Sequence, residues 1–164
     1  PSLLEISYTL VYTIAPFSMV WIYLQHRRDR MDPFLVIFLT GIYSSYVLFP
    51  FFPSEPPRAI FPGEDLPSVL TPFRRFNLGM LGSYGIHMSV FPSAHVSGAF
   101  SAALGLREVL PKPAWAWRFL LVLATLIALA TVYGRYHYAV DAVAGFVIAI
   151  GAWRVGRWFQ QRNA

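Results

Sequence analysis

The chain has 164 residues, of which 56% are hydrophobic and 13% charged, with a mean hydropathy of +0.50 and no cysteine. That length suits one domain, but the composition excludes an ordinary soluble one, and the lack of thiols excludes disulfides, thiolate catalysis and cysteine-ligated zinc. A net charge of +5 could suggest nucleic acid, but the basic residues form short segments between apolar runs instead of a stripe interleaved with aromatics, and no nucleic-acid partner is expected.

The pattern predicts an all-α, polytopic transmembrane helix bundle, a single integral membrane domain over residues 1–164. The start at Pro1, without Met, reads as a processed or truncated chain. Residues 3–24 are long and apolar enough to span a bilayer, with Pro16 as a kink and Glu5 near the outer end. The polar turn 25–32 carries three arginines, and Pro33 opens a second span to about Phe49, with Asp32 as its N-cap. Seven prolines between Pro50 and Pro72 forbid a long helix there, leaving a structured loop with at most one short helix. Residues 71–87 mix Arg74 and Arg75 with aromatics and glycines, as an interfacial loop or short amphipathic helix does; the two arginines read as attracting anionic headgroups. His26 and His87 read as loop histidines.

A third helix, from Ser93 to about Val109, is rich in Gly, Ala and Ser, as expected where helices approach closely. Interfacial tryptophans follow at residues 115 and 117. A fourth span runs from about Trp115 to Val132 and a fifth from about Tyr138 to Trp158. Nine of the 13 Lys and Arg (Arg27, Arg28, Arg30, Arg107, Lys112, Arg118, Arg154, Arg157, Arg162) fall on one side, which is assigned to the cytoplasm. Arg58, His95, His137 and Asp141 then share the extracytoplasmic side.

Three pieces carry chemistry there: Pro56-Pro57-Arg58, Pro92-Ser93-Ala94-His95, and the stretch from Arg135 to Asp141. Arginine presents planar, permanently charged donors that suit phosphate oxygens, which makes Arg58 and Arg135 candidate phosphate ligands. Ser93 at a helix start adds backbone N–H groups and the positive end of a helix dipole. His137 and Asp141 lie four residues apart. If the helix begins near Tyr136, they share one face, and the carboxylate can fix the imidazole tautomer. Two histidines beside an anion site allow one to attack phosphorus and the other to protonate the leaving oxygen. The candidate ligands form no compact His/carboxylate set, so neither metal nor cofactor is expected.

At these residues the chain resembles the phosphatidic acid phosphatase type 2 superfamily, which includes lipid phosphatases and vanadium haloperoxidases. The likeness covers roughly Tyr46 to Gly151. Pro92-Ser93-Ala94-His95 matches the family's Pro-Ser-Gly-His, and His137, Asp141 and Gly145 match the end of its third motif. The resemblance implies a phosphatase-like domain in which His137 is a nucleophile forming a phosphohistidine, Asp141 orients it, and His95 is the general acid. Ala130 and Thr131 stand where the third motif usually begins Ser-Arg. Phe51 stands at the first motif's Lys and Ala59 at the Pro after its Arg. The stretch Tyr46-Val47-Leu48-Phe49-Pro50 with Pro56-Pro57-Arg58 is nearest the branch containing inositol phosphorylceramide synthases. The family core usually has six spans against five here, which points to a helix missing upstream.

The expected function is metal-independent dephosphorylation of a membrane lipid phosphate at the extracytoplasmic face. Transfer of a phospho-headgroup to a lipid alcohol is the alternative enzyme reading. A non-enzymatic lipid-binding protein would keep the arginines but need neither histidine. Ser93 as a protease nucleophile lacks the glycine-flanked setting of such residues. The lipid tail, the headgroup and the oligomeric state are not written in the sequence.

Overall fold

A computed structural model of the chain describes residues 2–63, 67, 69–84 and 90–162. Its described residues are helical, without strands, and His87 lies outside them. The first span is one rod, α1 (Ser2–Thr9) and α2 (Ile14–Leu24), joined by a 3-10 turn over Leu10–Thr13. Pro16 explains the interruption, because it has no N–H to return to the carbonyl four residues back and the chain tightens just before it. The helix α3 (Met31–Leu48) begins earlier than expected, so Asp32 lies within its first turn and makes no side-chain cap; Arg30 occupies the cap position.

Among its described residues the proline-rich connection holds a 3-10 turn over Phe49–Phe51 and one short helix, α4 (Pro57–Ile60), and it is followed by α5 (Pro72–Tyr84). Thr71 Oγ1 accepts from Arg74 N at 3.1 Å and so starts α5. Next come α6 (Ala94–Val109), α7 (Trp115–Tyr133) and α8 (Ala139–Arg162). Four segments, Ser2–Leu24, Arg28–Phe51, Trp115–Tyr133 and Ala139–Arg162, are long and apolar enough to cross a membrane, which fits an integral membrane protein. The remaining expected span, α6, has only 16 residues and falls outside that set.

Instead, α6 is the axis of the bundle, packed against α3, α7 and α8. Its small residues are the reason. A Cβ at Gly41 on α3 would run into the Ser101 side chain, and Ser45 Oγ meets Ser97 Oγ at 2.8 Å in the same buried seam. The apolar core is built around Ile22, Phe34, Leu106, Leu120 and Ile127, all fully buried.

The bundle has two chemically distinct ends. At one, Trp21 meets Trp115 with ring centroids 4.7 Å apart, and Arg107 and Arg118 lie over Trp117. Glu108 there accepts from Trp153 at 2.9 Å and pairs with Arg157 at 3.3 Å. His26 is exposed at the same end, as expected of a loop histidine. The other end gathers Glu5, Arg58, α5 and the two segments that carry His95 and His137.

Candidate active site

The segment between α7 and α8 is shaped by two consecutive capping devices. At the end of α7, Tyr136 N donates to Thr131 O at 2.9 Å and Arg135 N to Val132 O at 3.0 Å. That pair of bonds is a Schellman motif, with Arg135 in the left-handed position (φ 59°) where glycine is usual. Gly134 leaves room for the Tyr136 ring, which lies directly over it. At the start of α8, the Asp141 carboxylate reaches back to accept Tyr138 N at 2.9 Å, as the third residue of a capped helix does.

The helix therefore begins at Ala139, not near Tyr136. His137 is not in the helix at all; the reversal after α7 brings it back so that its Nδ1 lies 3.3 Å from Asp141 Oδ2. A carboxylate only accepts, so this contact places the proton on Nδ1 and leaves Nε2 with its lone pair. Both residues are buried, His137 at 6% and Asp141 at 2% exposure.

The second histidine arrives from α6. Ser93 is its N-cap and accepts from Val96 N at 3.4 Å. The Ser93 N–H donates to Asp141 O at 3.0 Å, so that group is used to join the two helix starts. Gly145 makes the junction possible, since a Cβ there would stand 2.6 Å from Ser93 O. His95, the second residue of α6, ends with its ring centroid 5.8 Å from that of His137.

Both rings face a cavity of about 400 Å³. Arg58, Tyr8 and Tyr136 line it beside the histidines, and Tyr12, Phe38, Ile42, Tyr46 and Phe49 form an apolar wall. Arg58 is half-buried, and burial lowers its guanidinium from the ordinary arginine value; at so high a starting value it remains a cation. Its position is set through the backbone, Arg58 N donating to Arg135 O at 3.2 Å.

The expected residues Arg58, His95, His137 and Asp141 are thus brought together. Arg135 and Ser93 are not among the lining residues. The Arg135 guanidinium lies 5.9 Å from the Phe61 ring, and its Nη1 is buried without a hydrogen-bond partner among the described residues. No group of three or more His, Asp or Glu side chains converges in a metal-like set among the described residues.

One feature escaped the sequence. Glu5, 1% exposed, pairs with Arg74 Nη1 at 2.8 Å and also accepts from Asn77 Nδ2 at 2.8 Å and Tyr136 OH at 3.1 Å. Arg74 is 3% exposed, so it is an internal partner of Glu5 and not a headgroup attractor; Arg75 is exposed. Burial first, and the Glu5 carboxylate second, raise the Tyr136 phenol above its ordinary range, which keeps it a donor. An Arg and an Asn three residues apart on α5, facing a lone Glu near the start of an apolar span, were the available signal.

The sequence model of the PAP2 superfamily matches residues 2–155. A PA-phosphatase related-family protein of Dictyostelium discoideum is 40% identical over 70 residues, a stretch covering 42% of this chain and 11% of that protein's length. The crystal structure of Aquifex aeolicus LpxE has a TM-score of 0.63 at 18% identity, covering 94% of this chain and 92% of that one, a likeness of fold.

Proposed function

The chain belongs to the PAP2 superfamily, and on that premise we propose that it is a lipid phosphate phosphatase working through a phosphohistidine. The observation that carries the reading is the histidine pair: two imidazoles 5.8 Å apart on one cavity, one of them tied through Nδ1 to a buried carboxylate.

With the Asp141 carboxylate holding Nδ1–H, His137 Nε2 attacks phosphorus. Burial, and His137 beside it, lower His95 to about 3 and hold it neutral before substrate binds. It takes up the proton of a monoanionic phosphate ester on binding. As the P–O ester bond breaks and its electron pair leaves with the alcohol oxygen, His95 passes that proton to the oxygen. Water then attacks the phosphorus of the phosphohistidine, giving a proton to His95 while the P–N electron pair returns to Nε2. Arg58 carries the phosphate charge. Asp141 remains ionised and serves to orient the ring.

The apolar wall of Tyr12, Phe38, Ile42, Tyr46 and Phe49 supports a lipid substrate over a water-soluble one. The concentration of nine of the 13 basic residues at the opposite end of the bundle supports an extracytoplasmic site. Arg135 and Ser93 enter this reading as supports of the Arg58 loop and the α6 start.

The test is phosphate release by the purified protein from a panel of lipid phosphates, with a water-soluble phosphomonoester as control and a lipid alcohol as optional acceptor. Release from lipid phosphates, lost in His137→Ala, is expected. Headgroup transfer to the lipid alcohol in place of release would make the protein a transferase, and neither activity with any lipid would overturn the reading.

A further inference from the structure

The buried hydroxyl of Tyr8 stands out at the cavity. Tyr8 is 2% exposed and lines the cavity, its ring 4.4 Å from that of Tyr136 and 5.2 Å from that of His95. Its hydroxyl is buried with no hydrogen-bond partner among the described residues. The polar groups on its Glu5 side are engaged with one another. Tyr136 OH donates to Glu5, Asn77 Nδ2 donates to Glu5, and Thr9 Oγ1 donates to Asn77 Oδ1 at 2.8 Å. Thus the network around Glu5 passes Tyr8 by. Buried polar groups are nearly always paired, and an orphan beside reacting groups calls for a partner that arrives later.

The charge balance at the cavity says what that partner is. Among the described lining residues Arg58 is the single permanent cation. A phosphoryl group in transfer spreads its charge over three equatorial oxygens, which one guanidinium does not cover. A neutral phenol in a water-poor site suits this task, since it donates a hydrogen bond without adding a charge to be desolvated. We propose that Tyr8 is a catalytic residue whose hydroxyl donates to an oxygen of the phosphoryl group held between His95 and His137. It keeps its proton throughout, so the transfer steps balance as already written. The inference rests on the phosphate-transfer reading of the site but names a donor from α1.

Tyr8→Phe tests it, because the ring contacts survive and the lost hydroxyl has no resident partner. Two readouts are needed. Melting with and without orthovanadate, a phosphate analogue, reports anion binding without turnover; kcat and KM on a lipid phosphate report catalysis. In the absence of anion the variant is expected to melt no lower than the parent. With orthovanadate the parent is stabilised and the variant less so, and kcat falls about 10²-fold with KM little changed. Equal stabilisation of both proteins by orthovanadate, or an unchanged kcat, overturns the assignment, as does a parent with no orthovanadate response. If the parent hydrolyses no lipid phosphate yet orthovanadate stabilises it more than Tyr8→Phe, the Tyr8 donor stands and the lipid phosphatase reading falls.

Discussion

Tyr136 donates its phenol to Glu5 Oε2 at 3.1 Å, joining two residues 131 positions apart in the chain. Through Glu5 the first helix and α5 are pinned to the loop that carries His137. The Glu5–Arg74 pair is shielded from water, with side chains 1% and 4% exposed. Removing one partner of such a pair leaves a buried charge without compensation, at a cost of about 3–5 kcal/mol. Arg74→Ala is therefore expected to lower the melting temperature markedly. The double variant Glu5→Leu/Arg74→Met, which removes both charges, should melt higher than Arg74→Ala. The reverse order in a thermal denaturation series would show that the pair is not the stabilising unit.

The two histidines are expected to separate in a labelling experiment. His137→Ala should abolish both turnover and covalent labelling by a phosphate-labelled lipid. His95→Ala should slow turnover strongly yet retain labelling when the leaving group is good enough to depart unprotonated. Asp141→Asn should cost on the order of 10²-fold or more in kcat, since the neutral amide lacks the carboxylate's charge and its NH2 can donate to Nδ1 and favour the wrong tautomer. Label on His95 alone would exchange the two roles.

Arg58→Lys should reduce turnover more than conservation of charge suggests. A lysine ammonium cannot reproduce a planar two-point contact with phosphate oxygens. Steady-state kinetics on one lipid phosphate decide it, and parental kcat/KM in the variant would place the phosphate elsewhere.

Arg135 offers a cleaner separation of backbone from side chain. Its φ of 59° is one that a glycine adopts without strain. Arg135→Gly should therefore preserve stability or raise it by up to ~1 kcal/mol. Turnover should stay within a few-fold of the parent, because the guanidinium faces Phe61 and is not a lining group. A large loss of kcat without loss of melting temperature would return Arg135 to the phosphate.

Much of this architecture is legible in the sequence because membrane helices announce themselves by length and hydropathy. Four of the five expected spans, the small-residue character of α6, and the shared end of Arg58, His95, His137 and Asp141 follow from such patterns, whereas the 16-residue α6 falls short of a span by the same measure. The details of the His137 loop do not. Spacing of four residues implied a shared helical face, whereas the contact is made by a capped reversal, and an arginine in a glycine position gives no local signal. Glu5 and Arg74 left only a faint signal, a lone Glu in an apolar span and an Arg three residues before an Asn, because the pairing of residues 69 positions apart is set by tertiary placement. Tyr8 looked like any aromatic in an apolar span.

The Ser93 N–Asp141 O hydrogen bond, with Gly145 keeping the α8 backbone free of a side chain beneath it, ties the start of α6, which carries His95, to the start of α8 just after His137. The stretch that supplies Arg58 is attached differently. It hangs on backbone contacts such as Arg58 N to Arg135 O and Val90 N to Ser54 O, neither of which depends on the side chains it presents. On the proposed reading, the attacking histidine and the phosphate-binding Arg58 thereby sit on differently attached segments. The connection between α3 and α5 is then the place to graft a different recognition loop, leaving the spacing of the two imidazoles as it is.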